Sequence, residues 1–335
     1  MAMFLNLENR KKTFKKRRTG EDLTYRALYR FSRENVHWLS SNFLPESHET
    51  QSNELKMQTF LRYIGDPGFQ VGVSEDVGIH QTTVSRTVWE VSRSIVKKSS
   101  DWIKIPQTEQ EMNLAKTEWQ RKLKFPNAIG ALDCTHVLIL KPSIHGDEFI
   151  NRKGLASFIV QVTCNANEKI TSFDCRRAGS VHDSRIWKNS IVRELLDENP
   201  AGAILLGDEG YAITPWLMTP YRNTTSFSQM EYNKLHCKER VIIERVFGQV
   251  KRRFTILQSK IRISTNRIPT IIAACFVLHN VAKYLKEPDF DEPIETTNFE
   301  TGLAFPIHDQ ANSTIRKRGI LRRNEIARYI NSISN

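Results

Sequence analysis

Apolar positions along this chain follow two different periods, and the change between them divides it. From residue 21 to 124 they recur at helical spacing. Residues 21–44 read as one helix with Leu28, Phe31, Trp38 and Leu39 as core candidates, stopped by Pro45; residues 46–53 read as a loop. A further helix covers 55–64 and is closed by Gly65-Asp66-Pro67-Gly68. The pattern then predicts a short helix capped at Ser74 and stopped by Gly78. A longer helix over 81–91 turns Val84, Val88 and Val91 inward. Residues 108–123 supply another, with Trp119 and Leu123 on its apolar side, and Phe125-Pro126-Asn127 breaks it.

Beyond that break the texture is that of strands. Residues 128–140, 157–164 and 170–175 are apolar and β-rich, and the turn Asn165-Ala166-Asn167-Glu168 joins the last two, which suggests an antiparallel meander. A helix is predicted over 183–196, with Asp183 as N-cap and Ile186, Trp187 and Leu195 toward the sheet. A short buried strand at 203–206 runs into Gly207-Asp208-Glu209-Gly210-Tyr211, and 214–228 reads as loop. The helix over 240–254 is amphipathic: Ile242, Ile243, Val246, Val250 and Phe254 make the apolar stripe, and Arg240, Glu244, Gly248 and Lys251 make a second one. Residues 269–286 form the last core helix. Strand, strand, strand, helix, strand, then helices is the order of a ribonuclease-H-like fold. The expected class is therefore α/β (α+β), a ribonuclease-H-like domain behind an all-helical region. The expected boundaries are 1–20 basic arm, 21–124 helical region with a helix-turn-helix at about 55–96, 125–286 sheet domain, 287–312 acidic linker and 313–335 basic helix.

Charge sharpens the functional side. The 335 residues carry a net charge of +12, and the pI of about 9.5 favours polyanions, nucleic acid first. No apolar run reaches the ~20 residues of a membrane span, and no signal-peptide pattern opens the chain. Five scattered cysteines form no CxxC pair, which fits a reducing, intracellular setting. Arg10, Lys11, Lys12, Lys15, Lys16, Arg17 and Arg18 make an import signal or a DNA-contacting arm; the plain alternative is a solvated tail. In the helix-turn-helix, Gln81, Thr82, Ser85 and Arg86 suit base edges in a major groove, against the alternative of an ordinary helical bundle.

Candidate chemistry rests on carboxylates. Asp133 interrupts an apolar strand, where an unpaired charge is costly. Asp208 follows a strand between glycines that allow close approach. In a ribonuclease-H-like layout the first strand lies beside the fourth, so Asp133 and Asp208 converge and the later helix brings Glu244 across them. Three oxygen ligands of this kind hold one or two Mg²⁺ ions and serve an in-line phosphoryl displacement. His182-Asp183 has two readings, helper of the metal site or N-cap and packing, and the second is favoured. His136 falls on the opposite sheet face and reads as structural, as does His279 in the core. Glu209 points away. Lys251, Arg252 and Arg253 read as phosphate contacts or as a solvated face.

The stretch Phe125-Pro126-Asn127-Ala128-Ile129-Gly130-Ala131-Leu132-Asp133-Cys134-Thr135-His136-Val137 resembles the opening of the PIF/Harbinger transposase domain and of its domesticated nuclease relatives. Gly179-Ser180-Val181-His182-Asp183-Ser184, Leu206-Gly207-Asp208-Glu209-Gly210-Tyr211, Val241-Ile242-Ile243-Glu244-Arg245-Val246-Phe247-Gly248 and Leu278-His279-Asn280 match its later blocks in the same order. The resemblance implies that Asp133, Asp208 and Glu244 are a DDE triad holding Mg²⁺ or Mn²⁺, and that the protein is a metal-dependent DNA endonuclease of transposase descent. Cys134 stands where some members carry glycine, without removing a ligand. The resemblance also implies a separate Myb/SANT-like partner that aids DNA recognition and nuclear entry, with the protein in the nucleus, or in the cytoplasm without that partner. A homo-oligomer is left open, and no membrane role is expected. The rival reading is a domesticated, non-catalytic DNA-binding or scaffold protein.

Overall fold

The computed structural model describes residues 22–46, 51–66, 70–198, 201–290 and 313–334. The seven-cation arm and most of the acidic linker lie outside the described residues. The chain divides into two compact units, residues 1–94 and 95–335.

The elements of the first unit's described part are all helices: α1 Asp22–Tyr29, α2 Arg33–Phe43, α3 Asn53–Gly65, α4 Gln70–Val77 and all but the last three residues of α5 Gln81–Lys97. The single helix expected over 21–44 is two. Arg30 takes a left-handed φ of 66°, and Ser32 starts a new helix by accepting the backbone N–H of Asn35. Arg30 then reaches the end of α3, donating through Nε to the Gly65 carbonyl at 3.0 Å. Ser74 is not a cap either. It lies inside α4 and its hydroxyl donates to the Val71 carbonyl. Gly78, at φ 78°, ends α4 by returning its N–H to the Ser74 carbonyl. A turn over 78–80 leads into α5, which buries Val84, Val88 and Val91 as expected.

The second unit opens with α6 Ser99–Trp102 and α7 Glu109–Lys122. The expected sheet domain begins at 125, whereas the second compact unit begins at 95 and includes α7. Met112 packs with Leu132, Leu196 and Trp216 of the sheet core. The Trp119 indole donates to Glu239 at 2.8 Å. These contacts bind α7 to the sheet domain more firmly than the intervening Pro126 break separates them. Thr108 and Glu111 form a capping box at its start.

The sheet contains β1 Ala128–Leu138, β2 Ser157–Cys164, β3 Ile170–Ala178, β4 Ile204–Leu206 and β5 Leu217–Met218, in the order β3-β2-β1-β4-β5. Strands β1, β2 and β3 form the antiparallel meander, and β4 and β5 extend it in parallel. This is the ribonuclease-H-like arrangement, with β1 beside β4. Strand β5 was expected as loop, because two residues between Pro215 and Pro220 carry no alternation to read. The helix expected over 183–196 breaks at Asn189-Ser190 into α8 Asp183–Lys188 and α9 Ile191–Glu198.

Two long helices pack with the sheet. Helix α10, Phe227–Arg253, starts 13 residues before the expected position and is capped by Ser226. Its stripe Ile242, Ile243, Val246 and Val250 is buried. Helix α11, Ile268–Tyr284, is buried along most of its length. Its Asn280 side chain accepts the Ile170 N–H at 2.8 Å and donates to the carbonyls of Ile170 and Trp102 at 2.7 and 2.8 Å. That clamp fixes the start of β3. The last helix, α12 Ser313–Ser334, packs on α10 and passes Thr214 so closely that a Cβ at Gly319 would sit 2.8 Å from backbone.

Candidate active site

Parallel register explains why two acids far apart in sequence become neighbours. Ala131 of β1 pairs with Leu206 of β4. Asp133 and Asp208 each lie two residues further on, so the same offset brings them to the same level of the sheet. Strand β4 ends at Leu206 while β1 runs on to Leu138, which leaves a wedge beside β1 where Asp208 sits. Asp133 and Thr135 face α10. The Lys251 ammonium on α10 donates to Thr135 Oγ1 at 2.8 Å and to the His136 carbonyl at 3.3 Å. Cys134 and His136 point to the other face, where His136 meets the Ser157 hydroxyl at 3.0 Å and Cys134 meets the Tyr211 hydroxyl at 3.3 Å.

Asp133 is 5% exposed. Its Oδ1 accepts the Cys134 N–H at 2.8 Å, and its Oδ2 takes the Arg240 guanidinium at 3.1 Å. Arg240 also holds Glu244, one turn along α10. The expected i, i+4 pair of Arg240 and Glu244 is therefore present, and its cation extends to Asp133. Burial pushes the Asp133 carboxyl up to about 7; Arg240 opposes the shift, and repulsion from Asp208 and Asp183 adds to it. Burial also raises Asp208, against Arg240 and the Gly210 N–H, which donates to Oδ1 at 3.1 Å.

Asp183 is a fourth acid of the same region. Burial lifts it to about 6, helped by repulsion from Asp208 and opposed by Arg152. It is not the N-cap. His182 holds that position, and Asp183 begins α8. Its side chain interacts with Cys134, whose thiol burial holds well above its usual range. The block around it is tightly built: a Cβ at Gly179 would fall 2.3 Å from the Ser157 hydroxyl and 2.7 Å from the Phe149 carbonyl.

Asp133, Asp208 and Glu244 thus reach one region from three elements. They do not form a ready chelate. Among the described residues no three acidic, imidazole or thiol groups are close enough to hold a metal ion. Arg240 stands between Asp133 and Glu244, and Glu244 is 49% exposed on its side chain. The donor set is nonetheless suited to a hard divalent cation: every acid is an oxygen ligand, and their mutual repulsion already draws in a positive group.

Outside this cluster the expected contacts separate. Gln81, Thr82 and Arg86 are exposed on the first turns of α5, and Ser85 is half-buried. Lys251 is enclosed against β1, and burial draws its ammonium down to about 8. Arg252 is half-buried. Arg253 does not face nucleic acid: it is buried, donates to the Pro288 carbonyl at 2.7 Å and covers the Phe290 ring. A basic run at a helix end does not reveal that its last member folds under the following segment. His279 is the core histidine expected, bonded to the Glu168 carbonyl at 2.8 Å, and Glu209 is exposed.

Sequence comparisons relate the chain to known proteins. Residues 132–280 match the family described as DDE superfamily endonuclease. The protein named "Putative nuclease HARBI1" in Xenopus laevis is 28% identical over 235 residues, 69% of this chain and 68% of that protein. Its Homo sapiens namesake is 27% identical over 266 residues, 76% of each. "Protein ALP1-like" of Arabidopsis thaliana is 23% identical over 325 residues, 88% of this chain and 79% of its own. No solved structure matches the chain.

Proposed function

We propose that the protein cleaves DNA phosphodiester bonds as a nuclease of Harbinger transposase descent; the match of residues 132–280 to the family described as DDE superfamily endonuclease and the similarity of most of the chain to "Putative nuclease HARBI1" support this reading. The carrying observation is the meeting of Asp133 from β1, Asp208 from the end of β4 and Glu244 from α10 around a single cation, the Arg240 guanidinium. These three carboxylates would hold Mg²⁺ or Mn²⁺, with Asp183 close by. The chemistry supplied by a bound divalent cation is Lewis acidity toward phosphoryl and leaving oxygens.

The residues themselves orient and shield. The Cys134 N–H fixes one oxygen of Asp133 and leaves the other turned to α10. The Gly210 N–H fixes one oxygen of Asp208. Helix α10 covers the Asp133 face of β1 with its apolar stripe, so that oxygen is enclosed by protein on the helix side. Strand transfer by a freed 3′-hydroxyl at the same site is part of the proposal. So are DNA contact by Gln81, Thr82, Ser85 and Arg86, the Arg10–Arg18 arm as import signal or DNA arm, a Myb/SANT-like partner and a nuclear location. Among the described residues no helix is long and apolar enough to cross a membrane.

Nicking of supercoiled plasmid with Mg²⁺ or Mn²⁺ tests the reading. Asp208→Asn keeps the size of the side chain and removes its charge. It should abolish nicking by orders of magnitude while DNA binding survives. Equal cleavage by wild type and variant places the activity elsewhere. No metal-dependent cleavage by wild type, with a Myb-like partner present, favours the non-catalytic scaffold.

A further inference from the structure

Arg240 holds two of the three proposed ligands with one planar group. Nη1 meets Asp133 Oδ2 at 3.1 Å, Nη2 meets Glu244 Oε1, and the side chain is only 16% exposed. Asp208 draws on the same charge. The other Asp133 oxygen is taken by the Cys134 N–H, so Oδ2, the oxygen that Arg240 occupies, is the one left for an incoming cation. Without any cation, carboxylates from β1, β4 and α10 would repel one another across a half-buried wedge. A guanidinium stays charged in proteins, so it cannot leave the cluster by losing a proton. It is anchored on the same helix as Glu244 and one turn before it, so rotation of its long side chain frees both oxygens without moving α10.

We propose that Arg240 is an exchangeable placeholder: it holds Asp133 and Glu244 together before a divalent cation arrives, and that cation must displace it from both. This rests on the carboxylates being the metal site, as proposed above. Arg240 is then a positioning residue whose presence makes the metal bind less tightly and keeps the metal-free site assembled.

The test is calorimetric titration of the full chain with Mn²⁺, without DNA, alongside thermal unfolding in EDTA and in saturating Mn²⁺. Wild type, Arg240→Gln, Arg240→Lys and Asp208→Asn are compared. Arg240→Gln should bind Mn²⁺ about tenfold more tightly, about 1.4 kcal/mol. It should melt lower than wild type in EDTA, and that deficit should vanish in Mn²⁺. Lysine keeps the charge but cannot fork across two carboxylates, so Arg240→Lys should also bind Mn²⁺ more tightly, by about threefold. Unchanged or weaker Mn²⁺ affinity in Arg240→Gln overturns the placeholder. So does Arg240→Lys matching wild type while Arg240→Gln tightens, because charge at a distance then explains the effect. A melting deficit that persists in Mn²⁺ shows a purely structural arginine and overturns it too. If wild type itself binds no Mn²⁺, or Asp208→Asn binds it as well as wild type, the metal-site reading fails first and takes the placeholder with it.

Discussion

Asp133→Asn should stabilise the metal-free protein at pH 8 while destroying its metal response. The carboxyl is buried, and its pKa is raised from 3.8 to about 7. A raised acid holds its proton more firmly in the folded state. Its penalty is therefore absent below pH 3.8, grows between 3.8 and 7, and is complete above 7. The shift corresponds to a penalty of about 4 kcal/mol at pH 8 and about half that at pH 5.5. Asparagine removes the charge and relieves the repulsion of Asp208 and Asp183, but its single carbonyl oxygen can accept from only one of the two donors that Asp133 uses, the Cys134 N–H and Arg240. Some pairing strength with Arg240 is lost, so a gain of about 2–4 kcal/mol is expected at pH 8. For a unit of this size that is roughly a 5–10 °C rise in melting temperature. Urea unfolding in EDTA at pH 8 and 5.5 measures it. The advantage must shrink toward pH 5.5, where wild-type Asp133 is largely protonated. His236 and His279, held neutral by burial at about 4, lose stability as pH falls through the same range, but equally in both proteins. If Asp133→Asn is less stable than wild type at pH 8, or if the difference does not depend on pH, Asp133 is a structural ion-pair partner of Arg240 and not a strained ligand.

Two further tests probe the scaffold and the helical unit. Asn280→Ala removes two hydrogen bonds to Ile170 of β3 and one to the Trp102 carbonyl and leaves buried backbone groups at Ile170 unpaired, so a loss of about 3 kcal/mol is expected by chemical denaturation; a loss below about 1 kcal/mol would mean that β3 needs no such clamp. Alanine at Gln81, Thr82, Ser85 and Arg86 should weaken DNA binding at fixed salt and leave the melting temperature of the first unit in place, because three of the four are exposed; a collapse in melting temperature would make the first turns of α5 structural instead.

Where the chain states its structure locally, it was legible. The meander was readable from apolar, β-rich runs: β2 was expected at its observed bounds, while β3 was expected over 170–175 and runs on through Arg176 and Arg177 to Ala178, where the apolar signal ends. That Asp133 and Asp208 are neighbours followed from the ribonuclease-H-like strand order; the level at which they meet is set by the β1–β4 register. What stayed hidden depends on partners distant in sequence. Trp119 and Glu239 are 120 residues apart, and their bond ties α7 to α10 within the second unit. Nothing local shows that Arg253 is covered by 288–290 or that Arg30 turns left-handed to reach Gly65. Arg240 was visible as a helical partner of Glu244, but its reach to Asp133 required knowing how α10 lies over β1. The Gly179-Ser180-Val181-His182-Asp183 block carried a usable signal for Asp183, because it is one of the stretches that match the family's later blocks; the crowding at Gly179 shows only in the structure.

The wedge beside β1 also explains why this site is so poorly served by its own fold. Strand β4 stops after three residues, so β1 loses its parallel neighbour at the level of Asp133 and Asp208. A longer β4 would fill that gap with backbone and extinguish the cleft. Ending it early leaves carboxylates from β1, β4, α8 and α10 under partial cover, where burial raises three of them together. Such a cluster opposes folding unless positive charge enters it. Stability must come from elsewhere: the Asn280 clamp, the Glu239 bonds to Trp119 and Phe125, and the buried face of α11. None of these touches the acids, so the strain at the wedge can be relieved by a cation without loosening the frame that holds it. With these acids as the proposed metal ligands, a divalent cation would act on the cluster through its charge, so substitutions at Asp133 and Arg240 are expected to move metal affinity and metal-free stability in linked and opposite ways.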